Sequence, residues 1–456
     1  MFKRPLAFLI PLIITGCSMA PDYQRPASPV PTTYQVNTAE IAKNTGWKDV
    51  FADQHLQKLI DIALKNNRDQ RIALLNVEYY RAQYQIQRAA QLPTLSASAE
   101  STRTKSYGQI SSSNTASVGV TSYEVDLFGR VKSLKDKALE TYFAQEETQR
   151  STQLTIISNV ATAYLTLLAD QDLLRLTQDT VKSYEQSYEL TDQRYQAGIS
   201  SSLDLSQART NLESVRATLA QYKQQVALDR NALQLLLGTT LPADMSSGLP
   251  AEDLTLMKPI SAGIPSTLLT RRPDILAAEH SLKAANANIG AARAAFFPSI
   301  SLTAVTGSTS SSLDKLFSAG TGSWTFQPSV SMPIFDWGSN SATLDAAKVS
   351  EKIEVATYEQ AIQTAFKEVS DGLVSQDGYK EQLKAQQALV DADKTYYQLA
   401  QDRYEKGVDD YLTLLDAQRS LFSAEQTLVS TRLALLSNRV TLFQALGGGW
   451  TEPVKN

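Results

Sequence analysis

Cysteine is almost absent from this 456-residue chain. Cys17 is the only one, so a disulfide within the chain and a cysteine-based metal site are both excluded. Histidine is nearly as scarce: His55 and His280 stand far apart, without metal-ligand spacing. Neither sign of charge dominates, with 43 Lys and Arg against 47 Asp and Glu, and this mild acidity argues against a nucleic-acid partner. Gly-x-x-x-x-Gly-Lys-Ser/Thr loops and Gly-x-Ser-x-Gly elbows are missing. Ser312-Leu313-Asp314-Lys315 fits Ser-x-x-Lys, but a pattern that short is common by chance and falls in an expected loop. Nothing here predicts an enzyme, a metal or a cofactor. Past the N-terminal region no stretch is apolar enough for a transmembrane helix, so any membrane crossing must be made by strands.

The N-terminus carries a signal of its own. Lys3 and Arg4 precede the apolar run Leu6–Ile14, which is too short to span a bilayer and predicts a signal peptide over residues 1–16. The run ends in Ile14-Thr15-Gly16-Cys17, the pattern of a bacterial lipobox, so Cys17 is expected to carry diacylglycerol and an N-acyl chain. Ser18 is not the aspartate that retains lipoproteins in the inner membrane, which allows outer-membrane sorting. Cleavage before Cys17 removes Lys3 and Arg4 and takes the formal charge from −4 to −6. Four prolines between Pro21 and Pro31 predict an extended tether.

Arg194-Tyr195-x-x-Gly198 recurs as Arg403-Tyr404-x-x-Gly407, at a constant offset of 209. The match continues from Leu203, Leu205, Ala208, Leu212, Leu233 and Gly238 to Leu412, Leu414, Ala417, Leu421, Leu442 and Gly447. Arg88-Ala89-Ala90-x-x-Pro93 has a weaker echo in Arg293-Ala294-Ala295-x-x-Pro298. Most of the chain is thus two copies of one unit. Arg130–Ala197 contains no glycine or proline, enough for a helix of about 100 Å. Its apolar residues step by seven (Val160, Leu167, Leu174, Val181, Tyr188, Tyr195), the period of helices that wrap on one another. Leu414, Leu421, Leu428, Leu435 and Leu442 do the same in the second copy. Gly198 and Gly407 mark tips where long helices reverse. Gly372 and Gly378 suggest a local bend in the second long helix.

Pro93–Gly129 and Pro298–Gly338 have a different texture, rich in Ser, Thr and Gly with partial alternation. Each has room for two strands of about ten residues, the length of a tilted membrane strand. Tyr107, Phe317, Trp324 and Phe326 are candidate interfacial aromatics. Four strands cannot close a membrane barrel, which needs at least about eight, so closure requires several identical copies.

At this point the residues resemble a known family. Cys17-Ser18-Met19-Ala20-Pro21-Asp22-Tyr23, Trp47-Lys48-Asp49-Val50-Phe51, Tyr123-Glu124-Val125-Asp126-Leu127-Phe128-Gly129-Arg130, Arg271-Arg272-Pro273-Asp274-Ile275 and Tyr411–Arg419 resemble the outer membrane factors, the TolC-like exit ducts. The nearest branch is the OprM-like lipoproteins that serve resistance-nodulation-division efflux pumps. The resemblance implies a mostly α chain with a membrane β-barrel portion. Three copies would form a twelve-stranded barrel, four strands per chain, above a periplasmic α-barrel. It implies a lipid-anchored outer-membrane location, a homotrimer, a periplasmic adaptor protein and an inner-membrane transporter as partners. The function implied is a passive, gated exit for small molecules. The alternatives are a duct for type I protein secretion, or an envelope coiled-coil lipoprotein without a pore. The expected layout is a signal peptide at 1–16, a lipidated tether and equatorial segment at 17–60, and repeats at 61–238 and 273–447. A connector at 239–272 and a tail at 448–456 complete it.

Carried over by motif, Leu412 and Asp416 would form the constriction; four residues apart, they stack on one helical face. Three copies of Asp416 would make an acidic ring favouring cations. The repeat places Leu203 and Gln207 opposite them, so only the second hairpin supplies the acid. Arg194, Tyr195, Arg403 and Tyr404 are latch candidates at the tips, with Asp192, Asp204, Asp409 and Asp410 as acceptors. Helix capping and tip packing around Gly198 and Gly407 is the alternative role. The small, polar tip around Ser201 leaves room for an adaptor. Pro273 is expected in the first turn of a helix.

Overall fold

The computed structural model of the chain describes residues 18–34, 46–242, 257 and 271–448. Cys17, the signal peptide, most of the 239–272 connector and nearly all of the tail lie outside the described residues. Three helices lead in: α1 (Trp47–Val50), α2 (Gln54–Asn66) and α3 (Arg68–Ala89). Strands β1 (Leu95–Ser106) and β2 (Gln109–Glu124) precede the long α4 (Arg130–Gln196), which reverses into α5 (Ser202–Leu237). The order then repeats: α6 (Pro273–Ala294), β3 (Ser299–Ser310), β4 (Gly322–Ser331), α7 (Ser339–Glu405) and α8 (Tyr411–Ala445). Helices α4 and α7 are both 67 residues long. Pro273 opens α6 as its fixed φ predicts.

One expectation is corrected. An 18-residue window of α4 is apolar enough to cross a bilayer, yet 61% of it is buried inside the chain. The apolar side chains of this helix, Ile157, Val160, Tyr164, Leu165 and Leu168 among them, belong to a protein core. Helix α7 continues through Gly372 and Gly378 without a break, so any bend there leaves the helix intact. Gly372 has a packing role: a Cβ there would lie 3.1 Å from Leu442 Cδ1, and Asn438 Nδ2 donates to its carbonyl at 2.9 Å.

The chain forms two compact units, and each draws on both repeats. The first holds the described residues up to Ala27 with Asn76–Glu146 and Ala277–Gln360. The second holds the described residues within Ser28–Leu75, Glu147–Leu276 and Ala361–Asn456. The repeats do not fold separately because their like parts pair with each other, strand with strand and helix tip with helix tip.

In the first unit the four strands form one antiparallel sheet in the order β1-β2-β3-β4. The β2–β3 pairing joins the two repeats, with Asn114 opposite Ser310. Partners across a ladder share a face, so register sorts the side chains. One face carries Leu95, Val120, Ala304 and Phe326 in one row and Ala97, Val118, Thr306 and Trp324 in the next. The other carries Ser98, Ser117, Gly307 and Ser323, then Glu100, Thr115 and Thr309. Gly119 and Gly307 lie on the polar face, where a Cβ would meet the neighbouring strand's backbone at 2.2 and 2.1 Å. Such close backbone approach suits a sheet that curls toward its polar side.

In the second unit, Phe51, Leu56, Ile60, Tyr164, Leu165, Leu168, Leu233, Leu237, Leu436 and Phe443 make one core. Each fully buried aliphatic or aromatic side chain contributes about 1.5–3 kcal/mol. Of the step-of-seven stripe in α4, Val160, Leu167 and Val181 are buried, while Tyr195 at the tip is exposed.

Candidate functional site

The repeated Arg-Tyr-x-x-Gly ends a helix. Gly198 and Gly407 have φ of 74° and 72°, the left-handed region that glycine enters at no steric cost. The Ile199 amide donates to the Arg194 carbonyl at 2.8 Å and Gly198 to Tyr195 at 3.0 Å. Val408 donates to Arg403 at 2.9 Å and Gly407 to Tyr404 at 3.0 Å. This double bond pattern satisfies carbonyls the helix leaves open. The motif is thus a backbone device, and the side chains of its Arg and Tyr are free for other work.

They use that freedom differently in the two copies. Arg194 Nη2 reaches the second hairpin, donating to the carbonyls of Tyr404 at 2.6 Å and Glu405 at 3.0 Å. Its guanidinium also lies 4.3 Å from the Tyr404 ring centroid. Arg403 stays within its own turn and pairs with Asp409 through bonds of 2.6 and 2.7 Å. That pairing holds the Asp409 carboxyl below its usual range. Tyr404 is 3% exposed and its hydroxyl bonds Thr191 Oγ1 at 3.0 Å, whereas Tyr195 is 44% exposed.

Of the four acceptors expected for a latch, only Asp409 meets an arginine. Asp204 pairs reciprocally with Ser201 in a capping box at the start of α5. Burial pushes its carboxyl up, but the bonds from Ser201 and Ser200 outweigh it and hold it low. Asp410 caps α8 by accepting from the Thr413 amide. Asp192 accepts from Gln196 at 2.7 Å. A short acidic side chain just before a helix answers the unpaired amides of its first turn, and that local bond outcompetes a distant partner.

Above the tips a polar ladder joins α4 to the second hairpin. Ser183 Oγ meets Tyr397 OH at 2.8 Å, and Gln418 Nε2 donates to Ser187 Oγ at 2.8 Å. Ala208, Tyr404, Tyr411, Leu414 and Leu415 fill the adjacent apolar cluster. Leu412 is 59% exposed and Asp416 is exposed on the same side of α8, one turn apart. Asp416 accepts a 3.3 Å bond from Tyr396 OH. Their repeat counterparts are Leu203, 64% exposed, and Gln207, half-buried. Both tips thus present a leucine, and only the second presents an acid.

Two features escaped the sequence reading. Asp170 on α4 and Asp229 on α5 face one another. Burial, and then the neighbouring Asp229, push the Asp170 carboxyl up to about 7. Asp229 Oδ1 accepts from Gln225 at 2.9 Å, while Oδ2 is buried and accepts from no other side chain. The pair lies on different helices at no regular spacing, so no sequence pattern announces it. The second feature is the segment Met19–Arg25, which forms neither helix nor strand but is docked on α6 rather than free. Arg293 donates to the Met19 carbonyl at 3.1 Å and Asn286 to Pro21 at 2.8 Å. Arg25 grips buried Glu279 at 3.1 and 2.6 Å. Gly290 leaves the notch, since a Cβ would stand 2.7 Å from Ala20 N.

His280 Nδ1 lies 2.7 Å from Glu140, and His55 sits beside Asp53. Among the described residues, no group of three or more His, Cys, Asp and Glu is placed to hold a metal ion. Leu313–Lys315, in the Ser-x-x-Lys stretch, is a turn of 3-10 helix between strands.

The family model for outer membrane efflux proteins matches residues 59–239 and 264–448. A probable efflux pump outer membrane protein, TtgC of Pseudomonas putida, is 50% identical, over 96% of this chain and 94% of its own length. The outer membrane protein OprJ of Pseudomonas aeruginosa is 43% identical, over 98% and 96%. The open state of the MtrE outer membrane channel of Neisseria gonorrhoeae superposes with a TM-score of 0.88 at 40% identity, covering 95% of this chain and 98% of that one.

Proposed function

The chain belongs to the outer membrane efflux protein family, and from that premise we propose how its parts form a gated conduit. It is an efflux channel protein of the outer membrane, with a transport role rather than a catalytic one. The observation that carries the reading is the sheet. Four strands with one apolar face, one hydroxyl-rich face and two unpaired edge strands, β1 and β4, are incomplete alone. Three copies pairing β4 of one with β1 of the next give a closed twelve-stranded wall, apolar toward lipid and polar toward a lumen.

The same threefold arrangement alternates first and second hairpins around the axis. Leu412 and Asp416 then narrow the mouth as an apolar and an acidic ring, while the first hairpin serves as the fixed wall. Cys17 carries the lipid anchor, and Ser18–Ala27 lead from it along α6. A periplasmic adaptor docks on the tips around Gly198, Ser201 and Gly407, and an inner-membrane transporter supplies the energy. Relatives are named for efflux of toluene, solvents and antibiotics. Small organic compounds are accordingly the cargo class for this chain, with selection made upstream by the transporter. Planar-bilayer recording on the purified, lipidated protein tests the conduit. Discrete conductance steps are expected, and their absence from correctly assembled trimers would sink it.

A further inference from the structure

The four strands contain four charged residues: Glu100, Arg103 and Lys105 in β1 and Glu124 in β2. Register segregates them by sign. Glu100 pairs with Thr115, and Glu124 with Ser301, so both acids lie on the hydroxyl-rich face. Arg103 pairs with Ser112 and Lys105 with Ile110, in the same alternation as Leu95 and Ala97, so both cations lie on the apolar face. A charge on a lipid-facing surface is costly at mid-depth and tolerated only near a headgroup layer.

Their height agrees with that rule. The strands join helices at one end of the sheet; the other end carries only the turn at 107–108 and the loop at 311–321. Both cations sit toward the turn end, 8 and 10 residues beyond Leu95. At about 3.3 Å per residue and a tilt of about 45°, they stand about 19 and 23 Å from the helix end. The apolar band of such barrels is about 25 Å tall, so both flexible heads reach its outer rim. The neighbouring positions of that face toward the turn end are Ile110, Ser112, Asn114, Ser308 and Ser310, none of them acidic.

We propose that Arg103 and Lys105 form a phosphate-binding rim for lipid A, the phosphorylated glycolipid of the outer leaflet. The proposal rests on the reading of this sheet as an outer-membrane wall. Two positions apart on one strand face, the cations are about 7 Å from each other, close enough to share one phosphate. The guanidinium offers a planar fork to the phosphate oxygens and the ammonium a point charge. The turn end of the sheet lies away from the lipid-anchored strap, which puts the rim in the leaflet opposite the Cys17 acyl chains. Threefold repetition gives six cations around the barrel.

The test compares the full-length protein with the Arg103→Gln/Lys105→Gln double variant. A Lys348→Gln variant, changed on helix α7, serves as control. Binding of lipid A with two phosphates, of its dephosphorylated form and of phosphatidylglycerol is measured by native mass spectrometry from detergent. Each cation near a membrane surface is worth about a fivefold gain in binding. The double variant should therefore lose about 30-fold in affinity for phosphorylated lipid A, while the control and the dephosphorylated lipid show no such difference. An unchanged affinity in the double variant would overturn the proposal. So would wild-type binding that ignores the phosphates, or that treats phosphatidylglycerol as an equal. Conductance recorded on the same preparations separates this failure from failure of the barrel reading, which would abolish conductance in every variant.

Discussion

Replacing Asp170 with Asn should remove a pH dependence that the wild-type helical hairpin carries. The Asp170 carboxyl, normally near 3.8, is pushed to about 7 by burial and by Asp229 beside it. A carboxyl whose pKa is raised on folding takes up a proton in the folded state before the unfolded chain does. Folding is therefore favoured at low pH and loses stability as pH rises from about 4 to about 7, with no further loss above that. The full difference of about three pH units corresponds to about 4 kcal/mol. Asp170 is only half-buried, so solvent screening reduces the figure to about 1–2 kcal/mol. A melting curve is the wrong assay. In a chain of 456 residues, 1–2 kcal/mol moves the midpoint by only about 1–2 °C, and unfolding on this scale is not two-state. Amide hydrogen exchange of α4 and α5 near the pair resolves the effect, because protection there reports local opening. Corrected for intrinsic rates, protection in the wild type should fall about 5- to 30-fold between pH 4 and pH 8. The asparagine amide keeps a donor facing Asp229 at every pH, so the variant should stay flat. Identical profiles for the two proteins would refute the assignment of this pH dependence to Asp170.

Four further outcomes follow from named contacts. Gly290→Ala places a Cβ against the backbone of Ala20; chymotryptic cleavage after Tyr23 should rise several-fold, and unchanged cleavage would mean the strap is not docked there. Arg194→Gln removes two bonds to carbonyls of the second hairpin, about 1–3 kcal/mol for a charged donor. It should raise the open fraction in bilayer recordings more than Arg403→Gln, whose partner Asp409 lies within the same turn; equal effects would contradict the seam. Asp416→Ala should weaken the cation preference of the channel, and an unaltered preference would count against the acidic ring. Cys17→Ser should abolish metabolic labelling with palmitate, a result that persistent labelling would reverse.

What the sequence disclosed, and what it hid, follows from the range of the interactions. The tips were legible because a helix stop is local: the bonds at Gly198 and Gly407 reach only three to five residues back. The strands were legible as alternation, but the partner of β2 was not, since Asn114 and Ser310 meet across 196 positions. Asp204 and Asp410 take the capping role that the sequence offered as the alternative to a latch, and their signals were local too. Ser201-x-x-Asp204 is a capping box, and Asp410 directly precedes α8. The segment Pro21–Pro31 was read as an extended tether, and Met19–Arg25 forms neither helix nor strand. Its docking depends on Glu279 and Gly290, more than 250 residues away, and nothing in a proline-rich stretch says what it lies against.

The divergence of the two copies fits the proposal that one hairpin moves while the other holds. Every bond that builds a tip is internal to its hairpin: the glycine stops, the capping box at Ser201, the Asp410 cap and the Arg403–Asp409 pair. The bonds between hairpins are of another kind, hydroxyl to hydroxyl at Ser183–Tyr397 and Thr191–Tyr404 and amide to hydroxyl at Gln418–Ser187, with Arg194 gripping two carbonyls. Each neutral bond is worth about 1 kcal/mol net, because water replaces it readily. Separating the hairpins at their tips therefore costs a few such exchanges together with exposure of the apolar cluster around Ala208, Tyr404 and Tyr411, and unfolds neither of them. In the proposed ring of copies, each first hairpin would meet a neighbouring chain on the side where Tyr195 is exposed. On the proposed threefold arrangement each chain has two seams, and the intrachain one is closed by the polar ladder and the apolar cluster around Tyr404.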